Sequence, residues 1–204
     1  MSVYPNRVIV HPAAGAEAGR DASTVKVWDP LVRLFHWSLA ACILGAFLVE
    51  EGDTAHQLLG YTALGLVAFR LLWGLVGSRH ARFADFVRGP RAVGRYLRER
   101  LAGTSQRGLG HNPAGAVMVL LLLAGVAAVG ITGWMQTWDA FWGAEWLEEL
   151  HEALAYGLLA FIGAHVLAAF VESVHYRENL IAAMVHGRKR ALPADVAHDS
   201  SGQP

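Results

Sequence analysis

Apolar positions dominate four stretches of this chain, each about twenty residues long, the length a helix needs to cross a hydrocarbon core about 30 Å thick. The first runs from Pro30 through Val49, broken only by Arg33 and His36, and the second from close to His56 to Val76, with Arg70 as its only charge. The third runs from Pro113 to Met135 with no ionisable side chain, and the fourth from about Leu150 to Val174. A soluble four-helix bundle would show a polar stripe on each helix. The stretch from Val119 to Gly133 is apolar all round instead. The pattern predicts an all-α integral membrane four-helix bundle. Asp29 and Pro30 suit a helix cap and first turn, and Asp53 or Thr54 can cap the second helix. Residues 136–149 read as a short acidic and aromatic connector.

Composition adds little to this picture: of 204 residues 54% are hydrophobic and 17% charged. The single cysteine, Cys42, excludes an intrachain disulfide, a cysteine-rich zinc site and the C-x-x-C-H attachment of a c-type haem. Residues 1–27 are polar and irregular, with no signal-peptide pattern, and read as a mobile N-terminal tail. Residues 28–176 form the four-helix domain, and 177–204 a basic C-terminal tail.

Charge sets the orientation. Arg7, Arg20 and Lys26 precede the first span, and Arg79, Arg82, Arg88, Arg91, Arg95, Arg98, Arg100 and Arg107 lie between spans two and three. Arg177, Arg188, Lys189 and Arg190 follow span four. The other two connectors carry Glu50, Glu51, Asp53, Asp139, Glu145, Glu148 and Glu149, with no lysine or arginine. By the positive-inside rule both termini and the loop 77–112 are cytoplasmic. Within that loop Val93, Tyr96, Leu97 and Leu101 recur at helical spacing against Arg91, Arg95, Arg98 and Arg100, which reads as an interfacial amphipathic helix on anionic lipid. No nucleic-acid-reading motif accompanies these arginines.

The candidate chemistry lies in histidines. His151 and His165 are fourteen residues apart, which on a helix is about 21 Å of rise and within about 40° of four whole turns. Their imidazoles share one face at different depths, where an ionisable group is costly and marks a functional site. His36 lies about 9 Å into span one, and His165 about 10 Å from the same edge. His56 and His151 both sit at the outer starts of their helices. Depth therefore pairs His36 with His165 and His56 with His151. Iron in haem has two axial positions, and imidazole is a standard occupant. Two histidines saturate it, which favours electron transfer over oxygen binding. Ala40, Gly60, Ala155 and Ala169, each four residues after one of these histidines, are small enough to leave room for a flat macrocycle. A proton relay or metal transport are the alternatives. His11, His80, His111, His175, His186 and His198 read as surface residues. Arg33 and Arg70 can pair with haem propionates or snorkel to headgroups.

The residues from Val27 to Trp37, His56 to Tyr61, Phe69 to Gly74 and Gly77 to Phe83, with the His151 and His165 helix, resemble the bacterial cytochrome b561 family. That family includes the b-type cytochrome subunits of nickel-iron hydrogenases. The resemblance covers roughly residues 26–190. It implies a four-helix cytochrome of the bacterial inner membrane with two haem b groups between its helices, ligated at the positions of His36, His56, His151 and His165. It also implies electron exchange with quinone and with a periplasmic partner, such as a c-type cytochrome or a hydrogenase or dehydrogenase subunit. The family's superoxide oxidases, which reduce quinone, supply a competing function, and a haem-binding or transport protein without redox turnover supplies another. An anionic substrate would be steered by positive potential. The acidic outer connectors suit a basic partner better, so the expectation is an electron conduit.

Overall fold

The computed structural model describes residues 24–78, 81–104 and 112–190. A short strand β1 (Thr24–Lys26) leads into α1 (Pro30–Leu48) and α2 (Thr54–Val76). A one-turn helix α3 (Phe83–Phe86) and α4 (Pro90–Leu101) follow, then α5 (Pro113–Met135) and α6 (Glu145–His175). A seven-residue helix α7 (Leu180–His186) and the strand β2 (Arg188–Arg190) end the described chain. The four long helices α1, α2, α5 and α6 are each long and apolar enough to cross a membrane. The protein is a multi-pass membrane protein.

Local chemistry starts and stops these elements. Asp29 caps α1, its Oδ1 accepting from the backbone N–H of Leu31 at 2.8 Å and of Val32 at 3.2 Å, with Pro30 in the first turn. Asn112 caps α5, accepting from the N–H of Gly115 at 2.6 Å, ahead of Pro113. Asp53 occupies the N-cap of α2 without a side-chain hydrogen bond.

The fourth span differs from expectation. It starts at Glu145 rather than near Leu150, which shortens the connector to residues 136–144. Leu147 is fully buried and pins the extra turn. Glu145 and Glu148 sit in the first turn, where carboxylates favour the positive end of the helix dipole.

Neighbouring helices pack in chain order, α1 on α2, α2 on α5 and α5 on α6. Phe35, Cys42, Ala63, Val67, Leu123, Val126 and Leu158 form the common core. No comparable packing joins α6 back to α1 among the described residues, so the ring of four is open there. Only 6–22% of each span's most apolar window is buried within the protein. Such bare apolar surface is stable only with lipid as the solvent.

Alternation of the spans sends the two acidic connectors to one end and the arginines to the other. At the arginine-rich end the segment read as a basic C-terminal tail is folded as far as residue 190. Asn179 caps α7, Gly187 ends it in the left-handed region at φ 84°, and β2 returns antiparallel to β1. Val27 and Trp28 both donate their N–H groups to the Gly187 carbonyl, at 3.0 and 3.2 Å, and the ammonium of Lys189 lies 5.2 Å from the Trp28 ring centre. These contacts bury Gly187 and Lys189 within the segment read as a basic tail.

The helix expected over Pro90–Leu101 is α4. Arg100 Nε donates to Glu172 Oε1 at 3.0 Å, tying α4 to the end of α6. Beside that pair the Tyr96 phenol is pushed up to about 12, by burial first and then by the Glu172 carboxylate. The N-terminal residues 1–23, and with them Arg7, Arg20 and His11, lie outside the described residues, as do Arg79, His80, Arg107, His111 and His198.

Candidate functional site

The four histidines meet in two pairs. His36 on α1 faces His165 on α6, with ring centroids 6.4 Å apart and planes tilted by 54°. His56 in the first turn of α2 faces His151 in the second turn of α6, at 6.3 Å and 66°. One pair therefore bridges the open edge between α1 and α6, and the other crosses the bundle near its acidic end. α6 contributes to both because residues 151 and 165 return to nearly the same face after four turns.

The spacing matches a metal held between two imidazoles. A metal–nitrogen bond of about 2 Å, plus about 1.1 Å from nitrogen to ring centre, separates two opposed ring centroids by about 6.2 Å. Among the described residues no three His, Cys, Asp or Glu side chains come together as a cage for a bare metal ion. Each pair offers two ligands, the number an iron already held by four macrocycle nitrogens lacks.

The ring nitrogens are sorted by their partners. Nδ1 of His56 lies 3.1 Å from the Ala46 carbonyl oxygen. A carbonyl only accepts, so Nδ1 carries the proton and Nε2 keeps the lone pair. Nδ1 of His151 lies 3.1 Å from Thr132 Oγ1. Nδ1 of His36 is buried without a hydrogen-bond partner among the described residues.

A cavity of about 840 Å³ surrounds the His56 and His151 pair. Pockets of about 300–1,000 Å³ are of cofactor size. Gly60 and Ala155, each four residues after a pocket histidine, line it, and a Cβ at Gly60 would meet nothing within 4 Å. Glu51, Glu148 and Glu152 also line it, and with Glu50, Asp139, Glu145 and Glu149 they are exposed at this end.

Arg33 and Arg70 sit at the opposite end. Arg33 Nη2 donates a short hydrogen bond to the Val185 carbonyl. Arg70 is 3% exposed, donates from Nη2 to the Ala81 carbonyl at 3.0 Å and lies 4.7 Å over the Phe83 ring. Snorkelling to headgroups therefore does not describe Arg70, because the loop after α2 folds over its guanidinium. Each arginine keeps one buried donor, Nε of Arg33 and Nη1 of Arg70, without a partner among the described residues. His175 and His186 are exposed, as expected of surface histidines.

Two neighbours of the outer pair carried no prominent sequence signal. Thr132 touches His151, and Gly133 lies against the same ring. The one available clue was that Thr132 is the only hydroxyl-bearing residue of α5.

Comparison with known proteins identifies the family. The family profile described as prokaryotic cytochrome b561 matches residues 27–187. A protein of Rhodobacter capsulatus named "Probable Ni/Fe-hydrogenase B-type cytochrome subunit" is 28% identical, over 85% of this chain and 84% of its own. Proteins of the same name from Azotobacter vinelandii and Azotobacter chroococcum mcd 1 are 26% and 25% identical, over 85% of this chain and 91% of theirs. No solved structure matches at a significant level.

Proposed function

Because the chain belongs to the prokaryotic cytochrome b561 family, and is thereby a membrane b-type cytochrome of electron transfer, we propose that it holds two haem b groups, one at each histidine pair, and carries electrons across the membrane between a partner at its acidic face and the quinone pool. The observation that carries the reading is the pair of imidazole spacings, 6.4 and 6.3 Å, set at two depths along one helix. Haem iron supplies a reversible one-electron couple when bound.

The chain's own residues hold, orient and shield. His36 with His165, and His56 with His151, would each hold one haem, and a pair of imidazole ligands suits electron transfer rather than oxygen binding. The Ala46 carbonyl fixes the tautomer that turns Nε2 of His56 inward. The spare donors, Nε of Arg33 and Nη1 of Arg70, would each offer one charge-assisted hydrogen bond to a haem propionate at the arginine-rich end. Gly60 and Ala155 leave space for a flat macrocycle in the outer cavity.

Sidedness follows from charge. The arginine-rich end, with both termini, faces the cytoplasm of a bacterial inner membrane, and the acidic end faces the periplasm. The relatives carry the name of a hydrogenase cytochrome subunit, which favours a hydrogenase subunit as the periplasmic partner, with a basic c-type cytochrome as the other candidate. A superoxide oxidase is the second reading. The exposed carboxylates around the outer cavity oppose it, since they repel an anion.

Purified alanine variants test the ligation. His36→Ala and His165→Ala should each remove one spectral component, and His56→Ala and His151→Ala the other, with pyridine haemochrome analysis falling from two haems to one. Loss of a single common component from His36→Ala and His56→Ala would overturn the pairing.

A further inference from the structure

Thr132 is buried, 7% exposed, on a helix with no other side-chain hydroxyl. Its Oγ1 lies 2.9 Å from the carbonyl oxygens of both Ala128 and Val129, and 3.1 Å from Nδ1 of His151. A threonine hydroxyl has one proton and two lone pairs. Both carbonyls only accept, so the proton goes to them, as it does for threonines that bond back along a helix. Toward His151 the oxygen then has lone pairs to offer and no second proton. Nδ1 therefore carries the N–H, and Nε2 keeps the lone pair that can reach a metal.

We infer that Thr132 is a positioning residue for the outer haem: by accepting from Nδ1–H of His151 it fixes the ring's tautomer and orientation and lowers the reduction potential of the iron that ring ligates. The inference rests on the two-haem reading above. An acceptor on the far nitrogen leaves more electron density on the imidazole and raises its basicity as a ligand. A more basic axial ligand favours the ferric over the ferrous state, which lowers the potential. Nδ1 of His36, at the inner pair, has no such acceptor among the described residues. The inner haem is thus an internal reference within the same molecule.

Redox titration of the purified full-length protein tests this. Thr132→Val is nearly isosteric and removes only the acceptor. It should keep both haems, raise the midpoint potential of the component that His151→Ala abolishes, and leave the other component in place. Each tenfold loss of preference for ferric iron reads as a rise of about 59 mV for a one-electron couple. Thr132→Ser keeps the oxygen and should titrate like the wild type. An unmoved outer potential in Thr132→Val, or an equal shift of both components, overturns the inference. If Thr132→Val does not accumulate, Thr132→Ala and Thr132→Ser are compared, and equal outer potentials in the two overturn it. His151→Ala separates the levels of failure. If that protein keeps both haems, the ligand assignment fails and the role of Thr132 with it. If it loses one haem while Thr132→Val shifts nothing, only the role of Thr132 fails.

Discussion

Gly133 brings the backbone of α5 against the ring of His151: a Cβ at position 133 would stand 3.0 Å from Cε1 and 3.4 Å from Nδ1. In a helix interior, alanine for glycine is ordinarily worth about 0.5–1 kcal/mol of added stability. At Gly133 the same change must displace the imidazole by a few tenths of an ångström. Gly133→Ala should therefore weaken or broaden the outer haem's low-spin signal and leave the inner one intact. Gly157→Ala, where an added Cβ meets nothing within 4 Å, should leave both. Absorption and electron paramagnetic resonance spectra of the two variants decide, and an unaltered outer signal in Gly133→Ala would show that the ring yields freely.

Topology is tested at Gly103, in the turn after α4 at φ 70°. A reporter active only after export should stay silent when fused there, because the proposed orientation puts this arginine-rich end in the cytoplasm. The same reporter placed at Gly143 should be active. The reverse result would invert the sides assigned to the redox partners.

Salt and charge reversal test the outer face. Exposed Glu50, Glu51, Glu145, Glu148 and Glu149 should attract a cationic cytochrome c. Haem reduction by that donor should slow as ionic strength rises toward 0.15 M, where the screening length is about 8 Å. Reversal to lysine at several of these positions should slow it further and speed reaction with superoxide. Stopped-flow traces with both donors give the two signs. Fast reduction of the wild type by superoxide, with indifference to the cationic donor, would favour the oxidase reading.

Asp29 joins the start of α1 to the end of α2. Its Oδ1 caps the helix, and Oδ2 accepts from Ser78 Oγ at 2.5 Å. Burial opposes the charged form, but hydrogen bonds from Ser78, Val32 and Leu31 outweigh it and hold the carboxyl below its ordinary value. An unfolded aspartate titrates at about 3.9. The stabilisation is thus complete above that pH and is lost as pH falls through the lower folded-state value. Asp29→Ala should cost about 1 kcal/mol at neutral pH, as helix caps do, with the difference from wild type shrinking at low pH. Thermal melting followed by Soret absorbance across pH reads both effects. A difference that stays constant with pH would assign the loss to packing rather than to the carboxylate.

On the proposed ligation, the open edge between α1 and α6 would give the inner histidines a part in the fold as well as in the chemistry. His36 and His165 face each other where helix packing does not close the ring. A cofactor bridging them would supply the contact the helices lack there. The same reasoning explains how little of α6 is buried in the protein alone.

The starts of α1, α2 and α5 and the level of each histidine along its span were legible in the sequence because both are local, whereas the start of α6 at Glu145, pinned by buried Leu147, was not. Asp29 and Pro30 start α1 by capping chemistry that involves three neighbouring residues, and a constant rise of 1.5 Å per residue places His36 level with His165 before any packing is known. Azimuth was not legible. α5 is apolar all round, and in lipid a leucine facing a neighbouring helix is no better solvated than one facing an acyl chain. Nothing local could therefore state that Thr132 and Gly133 turn toward His151, or that Ala46 lends its carbonyl to His56. The fates of Arg70, covered by Ala81 and Phe83, and of β2, paired to a strand more than 160 residues earlier, were equally beyond it. Local pattern placed each group along its own span; only the packing of helices against one another decided which groups face each other there.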